Sequence, residues 1–184
     1  MLWQHDDATA VAVIARPEQI DITSTDLLWL AAGLAAADAI GALTGHSQRC
    51  RWPDGVDVDP TLDVAVTALC ELGPGRIDYA ALIVRAAPSI ALGGTSDVAD
   101  ALVDALRLSA QLLDDPVGLL RAYRNRCATI GTHVSATLLP HGSARGFVDG
   151  IDDHGALVLL SPTGLTDSIA IPMLNELAII DAAG

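Results

Sequence analysis

Cys50-Arg51-Trp52-Pro53-Asp54-Gly55-Val56 sets a cation, a large aromatic ring, a proline and a carboxylate at consecutive positions. Locally this reads as a short strand, Ser47 to Trp52, running into a Pro53-Asp54-Gly55 turn. Proline presets φ there, aspartate bonds nearby backbone and glycine tolerates left-handed angles. Each side chain also has a chemical reading. Arg51 can grip a phosphate or carboxylate bidentately, although an ion pair with one of the nearby aspartates is the favoured reading. Trp52 can stack on a planar ring, but a tryptophan at a strand end more commonly fills the core. Asp54, Asp57 and Asp59 alternate as a hard-cation site would, yet the glycine and distal glutamate of a calcium loop are missing. A solvated turn is favoured.

Outward from this stretch the chain alternates strand and helix patterns. Upstream, Thr9 to Ala15 is β-branched and closed by Arg16-Pro17, hence a strand. Ser24 or Thr25 caps a following helix, with Leu27, Leu30, Leu34 and Ala37 on a buried face and Gly45 as terminator. Downstream, Asp63 to Leu72 and Ile77 to Ala86 form a hairpin around Gly73-Pro74-Gly75-Arg76. Gly93-Gly94 breaks the sheet before a helix that begins at Thr95 or Ser96 and buries Val98, Ala101, Leu102, Ala105, Leu108 and Leu112. A further helix covers Val117 to Cys127. After Gly131 five short strands follow: His133 to Leu139, Ser143 to Asp149, Ala156 to Leu160, Ser168 to Ile171 and Leu177 to Ile180. Their close spacing predicts a small SH3-like barrel.

Composition excludes more than it selects. Half of the 184 residues are apolar, enough for a core without disulfides or a structural metal. Cys50, Cys70 and Cys127 are odd in number and widely spaced, which predicts buried thiols in a reducing cytoplasm. Met1 to Asp7 lacks a basic n-region, and no apolar run is read as reaching the roughly 18 residues that span a bilayer. Ten basic residues against 23 acidic ones give a net charge of -13, which repels nucleic-acid phosphates and anionic membranes. All ten basic residues are arginine; the chain contains no lysine. That removes Walker loops, protein-kinase chemistry and pyridoxal Schiff bases. His5, His46, His133, His141 and His154 show no zinc spacing. Arg121, Arg124 and Arg126 cluster near a helix end, where compensation of the helix dipole suffices.

The order of elements resembles the biotin protein ligase family over nearly the whole chain. Arg51-Trp52-Pro53-Asp54-Gly55-Val56 resembles that family's Lys-Trp-Pro-Asn-Asp-Val signature. The run from Leu120 to Ile151, with Tyr123-Arg124, Cys127-Ala128-Thr129 and Gly131, resembles its entry into an SH3-like C-terminal domain. The resemblance implies an α+β fold: a mixed β-sheet packed on helices over residues 1-130, then an SH3-like β-barrel over 131-184. It implies ATP-dependent ligation of biotin or lipoate to a carrier protein, with biotin and ATP as ligands and Arg51, Trp52, Pro53 and Asp54 as the ligand-binding candidates. It also implies a partner protein or a homodimer meeting the sheet.

The departures weaken the catalytic half of that expectation. The glycine- and arginine-rich loop of the family would precede Thr9 to Pro17, and the chain is read as starting after it. The signature lysine is Arg51, its asparagine Asp54 and its aspartate Gly55. A second family lysine aligns with Val64, in the stretch from Val64 to Glu71. A Gly-x-Gly-x-Asn element aligns with Arg85 to Ser89, where neither glycine nor the asparagine is present. The expectation is a catalytically defective relative acting as a binding or partner-interaction module in the cytoplasm, with no catalytic residue assigned. An active biotin or lipoate ligase with a rearranged, arginine-based site is the rival.

Overall fold

The computed structural model describes residues 9–14, 16–57, 64–86, 95–161 and 163–180. Among these residues are two five-stranded sheets and three α-helices, of the α+β class that the sequence predicts. The first sheet has the order β1-β5-β4-β3-β2, from Thr9–Val13 (β1), Arg49–Arg51 (β2), Gly55–Asp57 (β3), Val64–Gly73 (β4) and Arg76–Ala86 (β5). Its ladders are antiparallel, and a single parallel bridge, Cys50 to Cys127, is added among the described residues. The expected β4–β5 hairpin forms, turning at Pro74-Gly75 with Gly75 at φ 72°. β3 departs from the expected turn: Gly55 leaves the turn at once and pairs with both Arg51 and Ala65. The expected first strand keeps Thr9 to Val13, and Ala15 lies outside the described residues, as do Asp59, Gly93-Gly94 and His5.

Helix α1, Asp26–Thr44, is the centre of the molecule. Instead of one buried face it is buried nearly all round, from Leu27 to Ile40, between the sheet, α2 (Thr95–Gln111) and α3 (Pro116–Arg126). A helix that is apolar on nearly every side belongs in a protein core or a bilayer. Its alanines keep the neighbouring elements close, and Gly33 goes further: a Cβ there would lie 3.1 Å from the Tyr123 ring of α3. An 18-residue window of α1 has a mean hydropathy of 1.7, so the helix is long and apolar enough to cross a bilayer, contrary to the expectation that no run is. Of that window 67% is buried inside the protein, which marks a core helix here.

The helix ends are only partly as read. Gly45 terminates α1 in the left-handed region at φ 71°, its N–H bonded to the Gly41 carbonyl at 2.9 Å. At the other end Thr25 occupies the cap position but makes no side-chain cap bond. Asp21 serves the preceding 3-10 turn by accepting from the Thr23 N–H at 2.9 Å. Helix α3 is capped by Asp115, which accepts from the Gly118 N–H at 3.0 Å.

The second sheet has the order β10-β6-β7-β8-β9. Its strands are His133–Leu138 (β6), Ser143–Ile151 (β7), Leu157–Leu160 (β8), Thr166–Ile169 (β9) and Leu174–Ile180 (β10). All five expected strands are present, paired antiparallel, and the inward residues Val134, Ala136, Val148, Leu157 and Ile169 join the main core.

Candidate functional site

Trp52 stands where the two sheets meet. It is 1% exposed. Its backbone N–H donates to the Thr129 hydroxyl at 3.0 Å, and its indole Nε1–H donates to the Gly155 carbonyl at 3.1 Å. Both ends of the residue are therefore committed to connections of the C-terminal region, the one before β6 and the β7–β8 turn. Of the two readings made from sequence, the core one describes its place in the protein.

The rest of the seam is built from backbone carbonyls and arginine. The Ala128 N–H donates to the Cys50 carbonyl at 2.7 Å. Arg49 donates to the Cys127 carbonyl at 3.2 Å, and Arg124 to the Ile151 carbonyl at 2.8 Å and to the Asp153 carboxylate at 3.0 Å. Arg126 donates to the Gln48 carbonyl at 3.1 and 3.2 Å and also grips Asp38. The cluster near the helix end thus bonds distant segments, a role beyond the dipole compensation expected of it. Cys50 and Cys127 are buried beside these contacts, and burial pushes the Cys50 thiol up to about 12. Cys70, expected to be buried, is exposed near the end of β4.

The first residue of α1 is a buried carboxylate that bonds outside the helix. Asp26 is 6% exposed and accepts from the Ile171 N–H at 2.8 Å, holding the 3-10 turn before β10. Burial raises its pKa above the ordinary 3.8, a rise that the Ile171 N–H opposes and the Asp152 charge assists. The folded state therefore holds this proton more tightly than the unfolded chain does. The contribution is fully present below about pH 3.8 and is lost as pH rises through the raised folded value. Asp26→Ala orphans a buried N–H and should cost about 1–3 kcal/mol, with a larger loss in acid than at neutral pH. Asp26→Asn keeps an acceptor, should cost less, and should remove this share of the pH dependence. Urea midpoints of the three proteins between pH 3.5 and 7 check both points.

Two clefts flank the Trp52–Asp54 turn. One, of about 440 Å³, lies between Thr25 and Trp29 of the α1 entry, Ala68 and Cys70 of β4, and the Ile171–Asn175 segment. The other, of about 430 Å³, lies between Arg51 and the β10 segment that includes Glu176, Leu177 and Ile179. Pro53, Asp54, Leu174 and Asn175 line both. Pro53 is buried after a cis peptide bond, while Arg51 and Asp54 are exposed. Arg51 makes no ion pair among the described residues; Asp59 and Asp63, two of the nearby aspartates, lie outside them. Its guanidinium lies over Gly55, where a Cβ would come within 2.8 Å of it. Asp54 and Asp57 are exposed, and no metal-binding cluster of His, Cys, Asp or Glu exists among the described residues.

The clefts do not suit the adenylate that the family resemblance implies. A nucleotide and an acyl phosphate need fixed cations. Every arginine of the chain lies in the described residues, and Arg51 alone lines either cleft. Asp26, Asp54 and Glu176 stand on the same walls. The position aligned with the second family lysine, Val64, is 2% exposed and pairs with Ala86 inside the sheet. Arg85 is exposed on β5, and positions 87–89 of the third element lie outside the described residues. Sequence reasoning missed Asp26, Asn175 and Glu176, because each joins the clefts through tertiary packing rather than through a local pattern.

Comparison with known proteins agrees with this architecture. The family profile of the biotin protein ligase C terminal domain matches residues 129–175. No curated protein matches the chain in sequence. Among solved structures, the biotin protein ligase of Aquifex aeolicus is similar with a TM-score of 0.69 and 15% identity, covering 94% of this chain and 82% of that one. The same ligase in complex with biotin and ATP is similar at a TM-score of 0.68 and 15% identity, over 94% of this chain and 78% of that one. A biotin protein ligase-like protein of unknown function from Silicibacter sp. TM1040 is similar at 0.69 and 13% identity, over 88% and 77%. The chain therefore has the fold of the biotin protein ligases, and its residues 129–175 match their C-terminal domain.

Proposed function

We propose that this biotin protein ligase-like protein does not ligate and serves as a binding or partner-interaction module. The charge of the two clefts carries this reading: Arg51, their one cation, lines one cleft with Asp54 and Glu176, and the other is lined by Asp26 and Asp54 with no cation. Activating a carboxylate with ATP gathers negative charge that only preorganised donors and cations stabilise. Loss of a single such donor costs about 2.7–4 kcal/mol, or roughly 100- to 1000-fold in rate. Here a lysine position is buried valine, an asparagine position is Asp54, and no lysine exists elsewhere to substitute. A protein partner or a second copy meeting the sheet edge is the interaction this reading implies, since an open edge can accept another strand.

Incubation with ATP and labelled biotin or lipoate, in the presence of a carrier domain, should give no transfer and no ATP–pyrophosphate exchange above a protein-free control. Calorimetry with a biotinyl-adenylate analogue should show no submicromolar complex. Transfer or exchange would sink the reading in favour of an active biotin or lipoate ligase with an arginine-based site, and Arg51→Ala would then abolish the activity.

A further inference from the structure

The larger cleft holds a buried carboxylate that is short of partners. Asp26, 6% exposed, lines it. Among the described residues Asp26 accepts one hydrogen bond, from the Ile171 N–H to Oδ2, and Oδ1 accepts none. Each carboxylate oxygen has room for about two donors. Tyr123 Oη is the one fully enclosed side-chain polar atom among these residues that lacks a partner. Oδ1 of Asp26 therefore opens onto accessible space, and the cleft is the space its residue lines. Burying an ionised group without a counter-charge is costly. The raised pKa of Asp26 reflects that shortage: burial is its main cause, the Asp152 charge adds to it, and the Ile171 N–H and His154 oppose it only in part.

The remaining walls say what kind of molecule would supply the missing charge. Asp54 adds a second, exposed carboxylate, and no basic residue lines this cleft. Leu28 and Trp29 line it from α1, and Pro172 and Leu174 from the approach to β10. An apolar lining with a few placed polar groups is the usual build of a small-molecule site, and about 440 Å³ suits a compact organic ligand. An indole face also attracts a cation. Two carboxylates repel an anionic ligand. A bare metal ion would need more hard donors, and no metal-binding cluster exists among the described residues.

We propose that the larger cleft binds a small organic ammonium or amidinium, its N–H groups on Asp26 and Asp54 and its apolar body against Leu28, Trp29 and Leu174. The inference rests on the non-ligating reading above and gives that binding module its class of ligand.

Calorimetric titration of the full chain at physiological salt tests it, with phenethylamine and benzamidine as probes and phenethyl alcohol and hydrocinnamate as their neutral and anionic counterparts. At least one of the two amine probes should bind about tenfold more tightly than either counterpart and shift the amide signals of Trp29, Cys70 and Asn175. Asp26→Asn keeps an acceptor for the Ile171 N–H but puts an amide donor in place of Oδ1, and should weaken binding about tenfold. Asp54→Asn, a surface change that leaves the Ile171 bond alone, should weaken it as well. Glu176→Gln, which alters the other cleft alone, should leave it unchanged and so separates this site from general attraction to an acidic protein. Acetyl-lysine amide offers an ammonium without the apolar body and should bind about tenfold more weakly than the better probe. Binding of neither probe, equal binding of the alcohol, acid or acetyl-lysine amide, indifference to both aspartate changes, or signals shifted only elsewhere would each overturn the proposal. Such a failure without adenylate formation removes the organic cation and leaves the non-ligating reading in place. Adenylate formation removes that reading and this inference with it.

Discussion

Trp52→Ala is expected to lower the unfolding free energy by about 3–5 kcal/mol, the range for emptying a buried tryptophan site. Two losses combine. The ring leaves a void where the two sheets meet and the Gly155 carbonyl loses its indole donor, while the backbone bond to Thr129 is retained. Trp52→Phe separates these terms, because it retains most of the apolar volume while leaving the Gly155 carbonyl unpaired. That variant should lose about 1–3 kcal/mol, the cost of an orphaned buried group. Urea unfolding followed by far-ultraviolet circular dichroism measures both variants. A loss below about 1 kcal/mol for Trp52→Ala would contradict a committed core residue and revive a ligand-facing tryptophan.

The second large effect is expected at the partner of that bond. Gly155 turns between β7 and β8 at φ 95°, a region in which other residues are strained. A Cβ added there would also come within 3.0 Å of the Asp26 Cβ and 3.3 Å of the Asp26 backbone carbon. Strained backbone alone costs about 1–3 kcal/mol. Relief of the contact would push the β7–β8 turn off the α1 entry and stretch the Trp52 and Ile171 hydrogen bonds with it. Gly155→Ala should therefore destabilise by at least as much as the strain term. Gly164→Ala is the control: it has a similar positive φ of 81° but nothing within 4 Å, so it should show strain alone. The difference between the two midpoints reports the tertiary contact.

The parts of this fold that were legible in the sequence are those written locally. The β4–β5 hairpin follows from two alternating runs around Pro74-Gly75, and Gly45 marks the end of α1 because only glycine sits easily at φ 71°. The C-terminal strands follow from short apolar runs between Gly- and Asp-containing turns. β3 was missed because three residues carry too little pattern and Gly55 looks like the end of a turn. The all-round burial of α1 was missed because a run of alanines gives no strong face. At the candidate site, Arg51 to Asp54 could be found from the motif alone. What could not be found was the division of labour within it: Trp52 turns to the seam because its partners, Thr129 and Gly155, are 77 and 103 residues away. Asp26 and Ile171 are 145 residues apart, so the bond that fixes one end of the cleft leaves no trace in either segment.

Arginine use across the seam has a consequence for how the protein responds to ionic strength. Arg49, Arg124 and Arg126 spend donors on the carbonyls of Cys127, Ile151 and Gln48, in part-buried positions. Bonds of that kind lie largely outside the reach of dissolved counterions, whose screening length is about 8 Å at physiological salt and acts on exposed charge. Four ion pairs are present among the described residues, where Asp54, Asp57 and Glu176 are exposed without one. Salt therefore relaxes the repulsion among those carboxylates while leaving the bonds that tie α3 to β2 and to β7 intact, and it tightens this molecule where it would loosen one held together by surface ion pairs.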